Sequence, residues 1–91
     1  MRIDQWLFFT RLAKTRTQAA AWVTAGHVRL NGFVVTKRAQ SLKIGDEVLL
    51  LRAKRWHRCI VLALGSRRGP APEARQLYED LPAPDFDPWT D

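Results

Sequence analysis

An α+β fold, with two N-terminal helices packed on a small antiparallel sheet, is what this 91-residue sequence predicts. Three observations carry that reading. Apolar residues near the N-terminus recur at helical spacing. An Asn31-Gly32 pair then sits between two short β-prone runs, the strongest short-range hairpin signal. Beyond it, apolar stretches separated by turn residues continue as strands.

Ile3, Trp6, Leu7 and Thr10 fall at i, i+3, i+4 and i+7, one helical face. Asp4 lies in the first turn, where a carboxylate complements the helix dipole. This helix is expected to end near Leu12 or Ala13. A second begins at Thr15, whose spacing to Gln18 makes a capping box. Ala19, Ala20 and Ala21 favour helix and close packing, and Gly26 supplies the left-handed residue that stops it. The Asn31-Gly32 hairpin follows, then a turn at Lys43-Ile44-Gly45-Asp46. Glu47–Arg52 reads as a buried strand, Ala53-Lys54-Arg55 as a reversal, and Trp56 to Leu64 as the last strand. Pro72 can open a short amphipathic helix, since Ala74, Leu77, Tyr78 and Leu81 again repeat at helical spacing. The extra hairpin and this helix complete the α+β layout.

Composition narrows the function. Net charge is +6, unevenly placed: Met1 to Arg58 carries 12 Lys/Arg against 3 Asp/Glu, and Cys59 to Asp91 carries 3 against 6. A basic body with an acidic end suits a polyanionic partner. The single cysteine, Cys59, excludes an internal disulfide. His27 and His57 lack a carboxylate at ligand spacing, so no metal is expected. There is no Gly-rich phosphate loop, nucleophile elbow or HExxH, and Asp46-Glu47 alternate across a strand start. No catalytic residues and no cofactor are expected. The start lacks a secretory signal, and no apolar run nears the ~20 residues of a membrane span. A cytoplasmic monomer is expected, with no membrane and no small-molecule substrate.

The basic set clusters at the start of the second helix. Arg2 precedes the first helix, Arg11 and Lys14 close it, and Arg16 opens the second, with Thr15, Thr17 and Gln18 beside them. His27 and Arg29 share one face of a strand, and Lys37 and Arg38 follow the hairpin. A helix N-terminus presents unpaired N–H groups and partial positive charge, so cations and hydroxyls around it make a phosphate grip. Some of these residues also have local roles: Arg2 can pair with Asp4, and Thr15 and Thr17 are helix caps first. Arg52, Lys54, Arg55 and Arg58 read first as a solvated sheet edge and second as part of the basic footprint, and Trp22 and Trp56 read first as buried aromatics and second as platforms on which bases could stack.

In order and spacing, R-I-D-Q-W-L at 2–7, K-T-R-T-Q-A at 14–19, A-G-H-V-R-L-N-G at 25–32 and K-I-G-D at 43–46 resemble the S4 RNA-binding domain. The resemblance covers about Met1 to Arg52. It implies two helices against a small antiparallel sheet, and structured RNA bound across the second-helix start and the hairpin. Arg2, Arg11, Lys14, Thr15, Arg16, Thr17, Gln18, Asn31 and Lys37 occupy matching positions. Further along, R-R-G-P-A-P-E-A-R-Q-L-Y-E at 67–79 resembles the segment after the last strand in the bacterial heat shock protein 15 group. That similarity implies ribosomal RNA of the large subunit as partner, in the heat-shock response and the recycling of stalled subunits. The group continues into a long basic extension, where this sequence has an acidic stretch.

The domain layout expected is an S4 core over 1–52, a last strand and short helix over 53–81 completing the same domain, and a mobile acidic tail over 82–91. Two other functions fit the composition: an RNA-binding accessory subunit of an RNA-modifying enzyme, and a DNA-binding helix-turn-helix module. A larger copurifying polypeptide marks the first. Preference for duplex DNA over structured RNA marks the second.

Overall fold

Helix α1 (Ile3–Phe9) buries Ile3, Trp6 and Leu7 completely, and the Trp6 indole N–H donates to the Ala63 carbonyl at 3.0 Å. In a computed structural model, which describes residues 1–83, α1 stops earlier than its periodicity predicts. Thr10 caps it and Arg11 turns left-handed at φ 62°. The physical reason is tertiary. One Arg68 N–H-bearing nitrogen donates to the carbonyls of Phe8 at 2.7 Å and Ala13 at 2.9 Å, and Arg52 donates to that of Leu12 at 3.0 Å. Carbonyls that a longer helix would pair are satisfied from across the fold, while Leu12 and Ala13 still bury.

Helix α2 (Arg16–Thr24) starts as expected, with the Thr15 hydroxyl accepting from the Gln18 N–H at 2.9 Å. The reciprocal bond reaches one residue further back, from the Lys14 N–H to the Gln18 side-chain oxygen at 2.8 Å. At the other end Gly26, φ 77°, and His27 donate to the carbonyls of Val23 and Trp22, a complete Schellman motif.

Among the described residues, β1 (Val28–Leu30), β2 (Phe33–Val34), β3 (Glu47–Arg52), β4 (Arg55–Val61) and β5 (Tyr78–Leu81) form one sheet in the order β2-β1-β3-β4-β5, antiparallel throughout. Strands β1 (Val28–Leu30) and β2 (Phe33–Val34) close on Asn31-Gly32, both with positive φ, the type I′ geometry that matches strand twist. His27 lies just outside β1, although its carbonyl accepts from the Leu51 N–H. Strands β3 (Glu47–Arg52) and β4 (Arg55–Val61) join at Ala53-Lys54, which also hold positive φ, without a glycine. Strand β4 ends at Val61, short of the expected Leu64.

The last segment corrects the sequence reading. Only Ala71–Ala74 is helical (α3), with Pro72 in its first turn; Arg75–Leu77 is a 3-10 turn. Tyr78–Leu81 is strand β5, paired with β4 from Val61↔Tyr78 to Arg58↔Leu81. Spacing that fits a helix face also fits this turn and strand, and β4 would otherwise leave an unpaired edge. The tail expected from residue 82 lies, from residue 84 on, outside the described residues.

Val28, Val48, Leu50, Cys59 and Val61 are buried on the sheet face that packs against Ile3, Trp6, Leu7, Ala19 and Val23. Burial, with Asp80 and Glu47 nearby, raises the Cys59 thiol from its usual 9.0 to about 12. Because the thiolate is the reactive form, Cys59 should resist alkylation at pH 9.0 in the folded protein and react promptly in denaturant. Mass spectrometry of iodoacetamide-treated samples checks this; equal labelling in both states would contradict the packing.

Candidate nucleic-acid interface

The start of α1 is strapped to the loop after β2. Ile3 donates to the Gln40 carbonyl at 2.8 Å and Asp4 to that of Arg38 at 3.2 Å, while Arg2 bridges Ser41. This brings Arg38 beside Arg2 and the first turn of α2. At the floor lies Asp4, only 3% exposed. Arg2 donates to both its oxygens at 3.1 and 3.0 Å, the Gln5 N–H donates at 2.8 Å, and Arg16 stands 3.8 Å away. Arg2, Asp4, Arg16, Thr17 and Arg38 line one open cleft. Three guanidiniums around one carboxylate leave it net positive. Arg2 and Arg16 keep nearly half their side-chain surface in water, so the carboxylate orients them without neutralising the cleft.

A second groove flanks the other side of the α2 start, lined by Arg11, Leu12, Lys14, Gln18, Trp22, Arg52 and Ala53. The predicted residues therefore divide. Arg2, Arg16, Thr17 and Arg38 meet in the cleft, and Arg11, Lys14 and Gln18 in the groove. Thr15 lies between them, its hydroxyl engaged as the α2 cap. Lys37 is exposed on the loop that carries Arg38.

Three predicted residues are placed elsewhere. Asn31 is engaged inside the fold: its amide donates to Asp46 at 3.0 Å and its oxygen accepts from the Glu47 N–H at 2.9 Å. Asp46 also accepts from the Lys43 N–H, so the hairpin and the 43–46 turn are clamped together. Arg29 pairs across the sheet with Val34 and Leu49, and strand alternation puts it on the face opposite buried Val28. His27 is half-buried at the end of the Schellman motif. Neither Arg29 nor His27 lines the cleft or the groove.

The sequence reading gave neither Arg52, placed on a solvated sheet edge, nor Arg68, placed in the loop after the last strand, a part in closing the first helix. Their bonds to the end of α1 and the α1–α2 connector span 40 to 60 residues of chain, so no local pattern announces them. Arg68 also stacks 4.4 Å from the Phe8 ring centroid. Among the described residues no cluster of His, Cys, Asp or Glu could hold a metal ion, and no helix is long and apolar enough to cross a membrane.

Known proteins share this chain's sequence pattern and fold. The S4 domain family matches residues 1–48. The chain belongs to the S4 family of RNA-binding domains. Within the family it falls in the heat shock protein 15 group. The trimeric structure of Vibrio cholerae heat shock protein 15 superposes with a TM-score of 0.83 at 34% identity, over 89% of this chain and 81% of that one. A heat shock protein 15 homolog of Haemophilus influenzae is 31% identical over 88% of this chain and 60% of its own length. The small ribosomal subunit protein uS4 of Opitutus terrae is 38% identical over 52% of this chain and 23% of its own. The S4-domain chain thus spans about three fifths of the heat shock protein 15 homolog it matches.

The division of the arginines into fold-holding and solvent-facing ones is testable. Arg68→Ala removes charge-assisted bonds to two carbonyls and should lower stability by about 2–3 kcal/mol in urea titration. Arg16→Ala loses one long, exposed ion pair and should stay within about 0.5 kcal/mol of wild type. Equal effects would contradict the division.

Proposed function

We propose that this chain binds structured ribosomal RNA through the cleft at the α2 N-terminus. The observation that carries the proposal is the convergence of Arg2, Arg16, Thr17 and Arg38 beside the first turn of α2, with Asp4 holding two of the arginines in place. Exposed guanidiniums exchange counterions for phosphates, and Thr17 and the helix N–H groups supply donors that fix register. The base edges of A-form RNA are hidden in a deep groove, so shape and backbone dominate recognition.

The group's name supports a heat-shock role, the family's presence in a small-subunit ribosomal protein supports ribosomal RNA, and the large subunit is what the resemblance to the group implies. In this reading the chain works in the cytoplasm on the large ribosomal subunit, in the heat-shock response and the recycling of stalled subunits. It acts by binding rather than by catalysis, as a monomer. A sedimentation mass of 10.5 kDa is expected, and three times that would give it the trimeric assembly of the Vibrio protein.

The test is titration with fragments of large-subunit ribosomal RNA over a range of salt. Affinity should fall steeply with ionic strength, and Arg16→Glu should weaken binding at least tenfold, about 1.4 kcal/mol. Salt-independent binding, or an unchanged Arg16→Glu, would overturn the phosphate cleft. Cosedimentation with separated subunits then tests the large-subunit assignment, which binding to the small subunit alone would overturn.

A further inference from the structure

The groove on the far side of α2 differs in chemistry from the cleft. Its volume is ≈ 390 Å³, within the roughly 300–1,000 Å³ of small-ligand pockets. No carboxylate lines it. Arg11 comes from the α1–α2 connector, Lys14 from just before the α2 cap, and Arg52 from the end of β3. Gln18 and Trp22, four residues apart, present the same face of α2. The indole is half-buried against the core and forms part of the groove lining.

The groove is also held rigid. Arg52 donates to the Leu12 carbonyl at 3.0 Å, Arg11 donates to the Gly69 carbonyl at 2.6 Å, and the Lys14 N–H donates to Gln18. The Lys14 ammonium enters no ion pair among the described residues. A flat aromatic flanked by three cations, with an amide nearby, matches a base followed by its phosphate. Base stacking needs a π-face, and phosphate needs cations within a few ångströms of it. An apolar peptide side chain would not use the cations, and a bare phosphate would not use the indole.

We propose that this groove is a nucleotide subsite that takes one unpaired, unstacked nucleotide of the bound RNA. The base lies on Trp22, and its phosphates meet Lys14, Arg52 and Arg11. The subsite rests on the RNA-binding reading and extends it. The cleft grips paired backbone, while the groove selects RNAs with a bulged or looped-out base beside it.

The experiment compares two RNA hairpins, one carrying a single bulged uridine and one fully paired, against the full chain. Trp22→Leu keeps apolar volume but removes the π-face. It should lose on the order of tenfold affinity for the bulged hairpin and nothing for the paired one. Trp22→Phe should restore most of that loss. In the unaltered protein, 4-thiouridine at the bulge should photocrosslink to the peptide containing Trp22. Unchanged discrimination by Trp22→Leu, or a crosslink mapping away from the groove, would overturn the subsite. Arg16→Glu separates the two claims. If it weakens both hairpins while Trp22→Leu weakens neither, the subsite fails and the cleft stands. If Arg16→Glu weakens neither hairpin, the RNA-binding reading fails and the subsite with it.

Discussion

The rest of the structure depends on how the connector between α1 and α2 is closed. A helix that ends must satisfy its last carbonyls, and here the donors are guanidiniums from distant parts of the chain. Arg68 serves Phe8 and Ala13, Arg52 serves Leu12, and Arg11, left-handed itself, reaches out to Gly69. These bonds end α1, turn the chain and set Thr15 where it can cap α2. They also tie the connector to β3 and to the segment ahead of α3. Without that closure the α2 start would have no defined position relative to Arg2 or Arg38, and neither the cleft nor the groove would exist.

The closure also sorts the charge. A count of lysines and arginines suggests a uniformly basic body, yet the cations have different duties. Arg68 is committed to backbone and the Phe8 ring, and Arg58 and Arg67 are paired with Glu47 and Glu73. Arg2 and Arg16 share buried Asp4 while keeping much of their surface in solvent. Lys14, Lys37 and Arg38, which enter no ion pair among the described residues, join these two in facing a polyanion. A single carboxylate under several arginines keeps them close together in the absence of ligand, which reduces the ordering required on binding.

Much of this was legible in the sequence wherever the determinant is local. The Thr15–Gln18 cap, the Gly26 stop, the Asn31-Gly32 turn and the 43–46 turn each depend on residues within a few positions, and each forms. The misreadings share one cause. Thr10, Arg11 and Leu12 continue a helical pattern, and the interactions that end α1 come from Arg52 and Arg68. Ala74, Leu77, Tyr78 and Leu81 carry helical spacing, and the open edge of β4 recruits the latter two into a strand. For the candidate site, the family pattern located the α2 start and the loop carrying Arg38. It also included Asn31, whose side chain is spent on Asp46 and Glu47, and it passed over Trp22 and Arg52, which only the folded chain brings together.

The central claim is that the α2 start is the RNA-facing surface. Amide chemical-shift mapping of the labelled protein, titrated with a structured ribosomal RNA fragment, tests it most directly. The account predicts the largest shifts at Arg16, Thr17 and Gln18, with Arg2 and Arg38 following and the β4 residues Arg58 and Ile60 little changed. Shifts concentrated on β4, with the α2 start unmoved, would contradict it.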